Sequence, residues 1–184
     1  MLTDIKIKEI RVDFKEEKFR LPLKFGTGVI KYITLMTAKA VVENGRGKVA
    51  EGYGNILLSD IWGFSSACLT HEERDKAMRQ VGIAYANLVE NHREISHPIN
   101  IYLETKTELG GISESVSKKL NLKEEMPLLG ALVCASPIDA ALHDAFGKVN
   151  EISTYDGYGP KFMDKHLGYL LGQKYKGKYI ANLQ

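Results

Sequence analysis

Cysteine is scarce. Only Cys68 and Cys134 occur in 184 residues, each among small or apolar neighbours. No disulfide framework is implied, both thiols are expected to be buried small residues rather than nucleophiles, and a reducing cytoplasm is the expected setting. Excess charge is lacking too: 25 basic against 23 acidic residues leave a net +2, which gives no electrostatic reason for a nucleic-acid or anionic-membrane partner. No apolar run approaches the ~20 residues that a membrane-spanning helix needs. Met1 leads straight into the charged, alternating stretch Thr3 to Asp13, which lacks the pattern of a secretory leader. Asn44-Gly45-Arg46-Gly47-Lys48 lacks phosphate-loop spacing. His71, His92, His97, His143 and His166 are scattered without metal-ligand spacing; four read as surface or helix-terminal residues and His143 as a packed one. With 44% hydrophobic and 26% charged residues, the composition is that of an ordinary globular, cytoplasmic protein.

What is present reads first as strands. Ile5 and Ile7 share one phase and Ile10, Val12 and Phe14 the other, so the slip at Lys8-Glu9 predicts a bulge or break. Phe19 to Tyr32, with Pro22, Gly26 and Gly28, reads as a long flexible connection. Ile33 to Glu43 predicts a second strand, Asn44 to Gly47 a turn, and Lys48 to Tyr53 a third strand. Asn55 to Leu69 reads as loop and holds the single tryptophan, Trp62.

Helices follow. Thr70 stands three residues before Glu73, the capping-box spacing, and Ala77, Val81, Ala84, Tyr85 and Leu88 continue a helix to about Asn91. Pro98 and Gly110-Gly111 read as punctuation, with a short helix around Ser113 to Leu120. Leu128 to Phe146 carries the strongest apolar stripe, with Gly147 as the expected C-cap. Pro137 either kinks this helix or marks a new one capped by Ser136. On the second alternative Asp139 lies near a helix N-terminus, where free N–H groups stabilise a carboxylate. Tyr179 to Leu183 reads as the start of another strand.

The meander, then "AEGYG" (Ala50 to Gly54), then "SPIDAALHDAFGK" (Ser136 to Lys148), resembles the N-terminal part of the mandelate racemase/muconate lactonising enzymes of the enolase superfamily. Ile138, Asp139, Ala141, Leu142, Asp144, Gly147 and Lys148 match that family's helix between capping domain and barrel, and His143 stands where an aromatic is usual. The resemblance implies an α+β fold. A three-stranded antiparallel meander and helical bundle would form a capping domain over 1–135, with the linking helix and the start of a truncated (β/α) TIM barrel over 136–184. It implies Mg²⁺-dependent proton abstraction next to a carboxylate, by a lyase or isomerase of dehydratase, racemase or epimerase type, on a hydroxy acid or acid sugar. The family's base residues and metal ligands lie on later barrel strands, so the fragment alone is expected to be inactive. An assembly subunit of a split enzyme, with a barrel-half partner chain or as a homo-oligomer, and a non-catalytic small-molecule binding module both stay open.

The resemblance also supplies the candidate site. Lys24, Phe25, Gly26 and Thr27, in the loop Pro22 to Tyr32, would form a first mobile lid over substrate. Tyr53, Ile61 and Trp62, in the segment Tyr53 to Ser66, would form a second. The plainer readings are a glycine-rich strand connection and a Trp62 packed inside the capping domain. Lys176-Gly177-Lys178 spells the family's K-x-K base motif but precedes the first expected barrel strand, which makes it a solvated turn. Asp144 is expected to tie its helix to the barrel or to a neighbouring backbone.

Overall fold

The computed structural model describes residues 1–25 and 28–180, the side chains of Phe25 and Gly28 excepted. Strands β1 (Ile5–Phe25), β2 (Gly28–Asn44) and β3 (Val49–Leu57) form one antiparallel sheet in the order β1-β2-β3. The helices are α1 (Asp60–Gly63), α2 (His71–Glu90), α3 (Pro98–Thr105), α4 (Leu109–Lys119), α5 (Leu128–Asn150) and α6 (Gly168–Leu171). An α+β meander backed by helices is the observed architecture.

The expected slip lies between Ile7 and Glu9, where Lys8 has no partner on β2. Its effect is to return Ile10 to the face already occupied by Ile5 and Ile7, and all three are buried. On β2 the same face carries Met36, Ala38, Ala40 and Val42, each without exposure. Strict alternation then leaves the opposite face of β2 and β3 to Lys39, Glu51 and Tyr53. The turn after β2 is held by Asn44, whose side-chain oxygen accepts from Arg46 N and Lys48 N. Its amide donates to the carbonyl of Val149 at 3.1 Å, fastening the turn to the end of α5.

β3 meets α5 at backbone distance. Ala38 pairs with Gly54 and Ala40 with Gly52, giving a floor of small residues beneath the helix. A Cβ on Gly52 would stand 2.2 Å from the carbonyl oxygen of Ala141, and one on Gly54 would stand 2.0 Å from that of Pro137. Asp144 of α5 accepts from the Tyr53 N–H at 2.8 Å, covering a donor on an edge strand that needs a partner. The two motifs that carry the sequence resemblance are therefore two sides of one contact.

Several expectations give way. The flexible connection over 19–32 is instead a two-stranded ribbon, since β1 runs to Phe25 and β2 starts at Gly28. Pro22, which has no N–H to donate, falls in the interruption of pairing between Lys18 and Leu23. α5 is one helix through Pro137, and the Ser136 hydroxyl donates back to the Val133 carbonyl instead of capping a new start. Residues 135 and 136 thus lie in mid-helix, and Asp139 is far from any helix N-terminus. Gly147 does not end α5, which closes on Glu151 in the left-handed conformation at φ 57°. Gly147 is needed for another reason: a Cβ there would stand 2.6 Å from Thr154 Oγ1.

α3 was not foreseen; Pro98 opens it at the first turn, where its missing N–H costs nothing, and His97 caps it. Gly110 and Gly111 lie within α4. Cys134 is buried, and burial pushes its thiol well up, but Cys68 is exposed. α5 is long and apolar enough to cross a membrane by length and composition, but most of its apolar stripe is buried against the sheet and α2. Tyr179 and Ile180 are not in a strand, and the rest of the expected strand, at 181–183, lies outside the described residues.

The turn after α5 is locked by buried rings. His97 packs edge-on against Phe146 at 4.6 Å, and the Tyr158 hydroxyl lies 2.9 Å from His143 Nδ1. Burial pulls His97 down to about 4; burial and then the neighbouring His97 do the same to His143. Asp139, 3.6 Å from His143 Nε2, is pushed up to about 6 by burial. The lowered histidines stabilise the fold fully above their unfolded value near 6.5 and lose that contribution as pH falls towards 4. Asp139 works in the opposite sense, contributing at low pH and losing its effect as pH rises from its ordinary 3.8 through 6. Its side chain is about a third exposed, so solvent weakens that limb.

Two experiments check this packing. Gly54→Ala should lower stability by about 3 kcal/mol or more in urea unfolding, whereas Gly111→Ala, with nothing within 4 Å of the added methyl, should raise it by roughly 0.5–1 kcal/mol. Between pH 6.5 and 4, His97→Phe should flatten the fall of stability with acid by about 1.4 kcal/mol per pH unit, the slope of one proton. An unchanged acid slope would mean that His97 is not neutral in the fold.

Candidate functional site

The β1–β2 ribbon and the β3–α2 connection meet at one end of the sheet. A groove of about 570 Å³ lies between them, walled by Phe19, Leu23, Ile30 and Ile33 from the ribbon and by Ile56, Leu57, Ile61 and Trp62 from the other side. Adjoining it is a smaller cavity of about 260 Å³. Ile30 and Ile61 border both, and Val29, Lys31, Tyr32, Asp60, His71 and Arg74 complete the smaller one.

Local sequence sets this geometry. Thr70 caps α2 with both bonds of the capping box to Glu73, which fixes where the first turn of the helix points. His71 and Arg74, three residues apart, then share one helical face. Both reach Asp60 at the start of α1: Arg74 Nη2 lies 2.7 Å and His71 Nδ1 3.0 Å from the same Oδ2. Asp60 is 1% exposed, so its charge is viable only because the guanidinium stands beside it. Arg74 also donates to the Leu69 carbonyl, and the Tyr32 ring meets the His71 ring edge-on at 4.7 Å. Burial, followed by the charges of Glu72 and Asp75, raises the Tyr32 hydroxyl above its ordinary value.

Of the sequence-derived candidates, Ile61 and Trp62 line the groove. Trp62 is 52% exposed, so it is not packed inside the domain. Tyr53 lies elsewhere on the sheet: its hydroxyl donates to Glu51, and Lys148 sits over its ring. Lys24 is exposed on the ribbon, paired with Val29, and borders neither cavity. The Phe25 backbone pairs with Gly28; its side chain, with Gly26 and Thr27, lies outside the described residues. Lys176 and Lys178 are exposed in a turn.

Phe19, Leu23, Ile30, Asp60, His71 and Arg74 are additions from the structure. His71 and Arg74 sit directly after a capping box, which is a visible signal. Asp60, 11 and 14 residues upstream of them, carries none. Among the described residues no three His, Cys, Asp or Glu side chains converge as a metal site would require, so these residues do not fit Mg²⁺ and no chemical step through it is assigned to them. Arg74→Ala would strand a buried carboxylate and should cost about 3–5 kcal/mol of stability in chemical denaturation. Trp62→Ala at the open rim should change stability by less than about 0.5 kcal/mol.

Comparison with known proteins is informative at the level of fold. No family model matches the chain, and no curated protein matches it. An enolase with bound magnesium from an alphaproteobacterium, BAL199, superposes with a TM-score of 0.54 at 16% identity, over 85% of this chain and 35% of that one. An enolase from Bradyrhizobium complexed with magnesium and mandelic acid gives 0.49 at 15% identity, with the same coverages. A dipeptide epimerase from Enterococcus faecalis complexed with magnesium and L-Leu-L-Tyr gives 0.43 at 15%, over 84% and 35%. The chain thus spans about a third of the length of these proteins.

Proposed function

We propose that this chain, whose fold is that of the enolase-superfamily N-terminal capping domain, is the substrate-selecting cap of a Mg²⁺-dependent lyase or isomerase that abstracts a proton next to a carboxylate. The observation that carries this reading is the convergence of the ribbon and the β3–α2 connection on one apolar groove bearing Ile61 and Trp62. Two segments far apart in sequence wall one concave surface, as a cap that excludes water from a barrel mouth must.

In this reading the cap binds, orients and shields, and the proton-transfer groups and metal ligands belong to a (β/α) barrel outside the described residues. Ile61, Trp62, Leu23 and Ile30 would lie over a hydroxy acid or acid sugar, with Lys24 exposed on the same ribbon. Exposed Leu128, Leu129, Tyr155, Tyr169 and Leu171 offer apolar surface for docking a barrel, whether on the same chain, on a partner chain or on a second copy. This is also what a subunit of a split enzyme would present.

The direct test has two parts. The chain supplied with Mg²⁺ and a panel of hydroxy acids and acid sugars should show no turnover, and a matched barrel should restore it. That barrel would carry a K-x-K strand end and three acidic strand ends, and the DNA downstream of codon 184 is the first place to look for it. Turnover by residues 1–184 alone, or a barrel that binds them and stays inactive on every carboxylate tried, would sink the proposal.

A further inference from the structure

The two edges of the sheet are not alike. β3 lies against α5, and its Tyr53 N–H donates to Asp144. β1, the other outer strand, is open. Ile5 bridges to Ser96; beyond it, among the described residues, no backbone hydrogen bond ties Lys6 to Lys18 to any segment but β2. From Glu9 to Lys18 the pairing with β2 is unbroken, between the slip at Lys8 and the interruption before Leu23. The N–H and C=O groups that point away from β2 along this stretch form a template for a further strand.

Charge selects the strand that fits. Arg11, Asp13, Lys15 and Glu17 alternate in sign on the sheet face turned away from the core, and the first three are exposed. A second copy laid antiparallel about a two-fold axis at Phe14 sets its Asp13 opposite Lys15 and its Arg11 opposite Glu17, and symmetry repeats both pairs. Opposite charges facing across strands stabilise the pairing, and like charges oppose it. With the axis moved to Asp13 or Lys15, Lys15 meets Arg11 or Glu17 meets Asp13, like against like. An axis at Val12 or Glu16 also matches charges, but its ladder runs into the slip at Lys8 or the interruption past Lys18. On the other face Phe14, half-buried, would meet Phe14 of the second copy as a cross-strand aromatic pair. Arg79 lies over the Phe14 ring. Ile83, one turn further along α2 on the same side, is an exposed apolar residue beside this edge.

We infer that the β1 edge is a self-association surface, on which two copies of this chain pair antiparallel about Phe14 and join their three-stranded sheets into one. The inference goes beyond the capping reading and does not depend on it. The pairing sets the two grooves at opposite ends of the joined sheet. It also braces the ribbon wall of each groove, because Phe19 follows directly on the paired stretch.

Sedimentation equilibrium of the full chain tests this. The contact is small, so a monomer–dimer equilibrium should appear as concentration rises, and salt should weaken it. Asp13→Lys and Lys15→Glu should each weaken self-association by about tenfold or more. Their equimolar mixture should dimerise at least as tightly as the wild-type chain, because every facing pair then joins opposite charges. In the wild-type chain, amide hydrogen exchange should slow with concentration at alternate residues between Ile10 and Lys18, and not along β3. A chain that stays monomeric to about 1 mM, a dimer that both variants leave unchanged, a mixture no tighter than its components, or protection confined to other segments would each overturn the inference. The salt and exchange readings use the wild-type chain, so they hold whatever the variants do to folding.

Discussion

The close approach of α5 to β3 is the constraint from which the rest of the molecule is built. A helix normally packs on a sheet through side chains. Here Gly52 and Gly54 remove them from one partner, and Ala38 and Ala40 extend the low floor onto β2. The backbone of α5 therefore lies almost on the strand, and Asp144 can reach the Tyr53 N–H. Once that distance is set, Asn44 can bond the carbonyl of Val149, and the helix end, the β2–β3 turn and the N-terminal segment close together through Asn150 and Thr3.

The same contact positions the candidate site at a distance. With β3 fixed against α5, its far end at Leu57 and Leu58 delivers α1 to the start of α2, and Asp60 falls beside His71 and Arg74. The paired strands carry the ribbon to the same end of the sheet, where Leu23 and Ile30 face Ile61 and Trp62 across the groove. The core is thus rigid where glycine and alanine make it dense. The groove is apolar and open where large side chains from two segments face each other without interlocking.

Legibility in the sequence followed the range of the interaction. The capping box at Thr70 and Glu73, the bulge near Lys8 and the Asn44 turn are local, and all are present in the structure. The two motifs "AEGYG" and "SPIDAALHDAFGK" were visible as words; that they touch was not. The ribbon was misread because Pro22 and two glycines signal a loop, whereas continued pairing with β2 holds strand geometry around an interruption that absorbs the proline. Gly147 was misread for a similar reason. Its service is to a neighbour seven residues on, not to its own helix end.

Residue order by itself determined the elements whose bonds close within a few positions: the caps, the turn, the phase of each strand and the apolar stripe of α5. Only the tertiary structure decided which side chains share the groove, that Trp62 is exposed while His97 is buried, and that a carboxylate 11 residues away stands against His71. The physical reason is that alternation and helical periodicity are properties of a chain segment, whereas burial and charge pairing depend on which surfaces meet once every segment is in place.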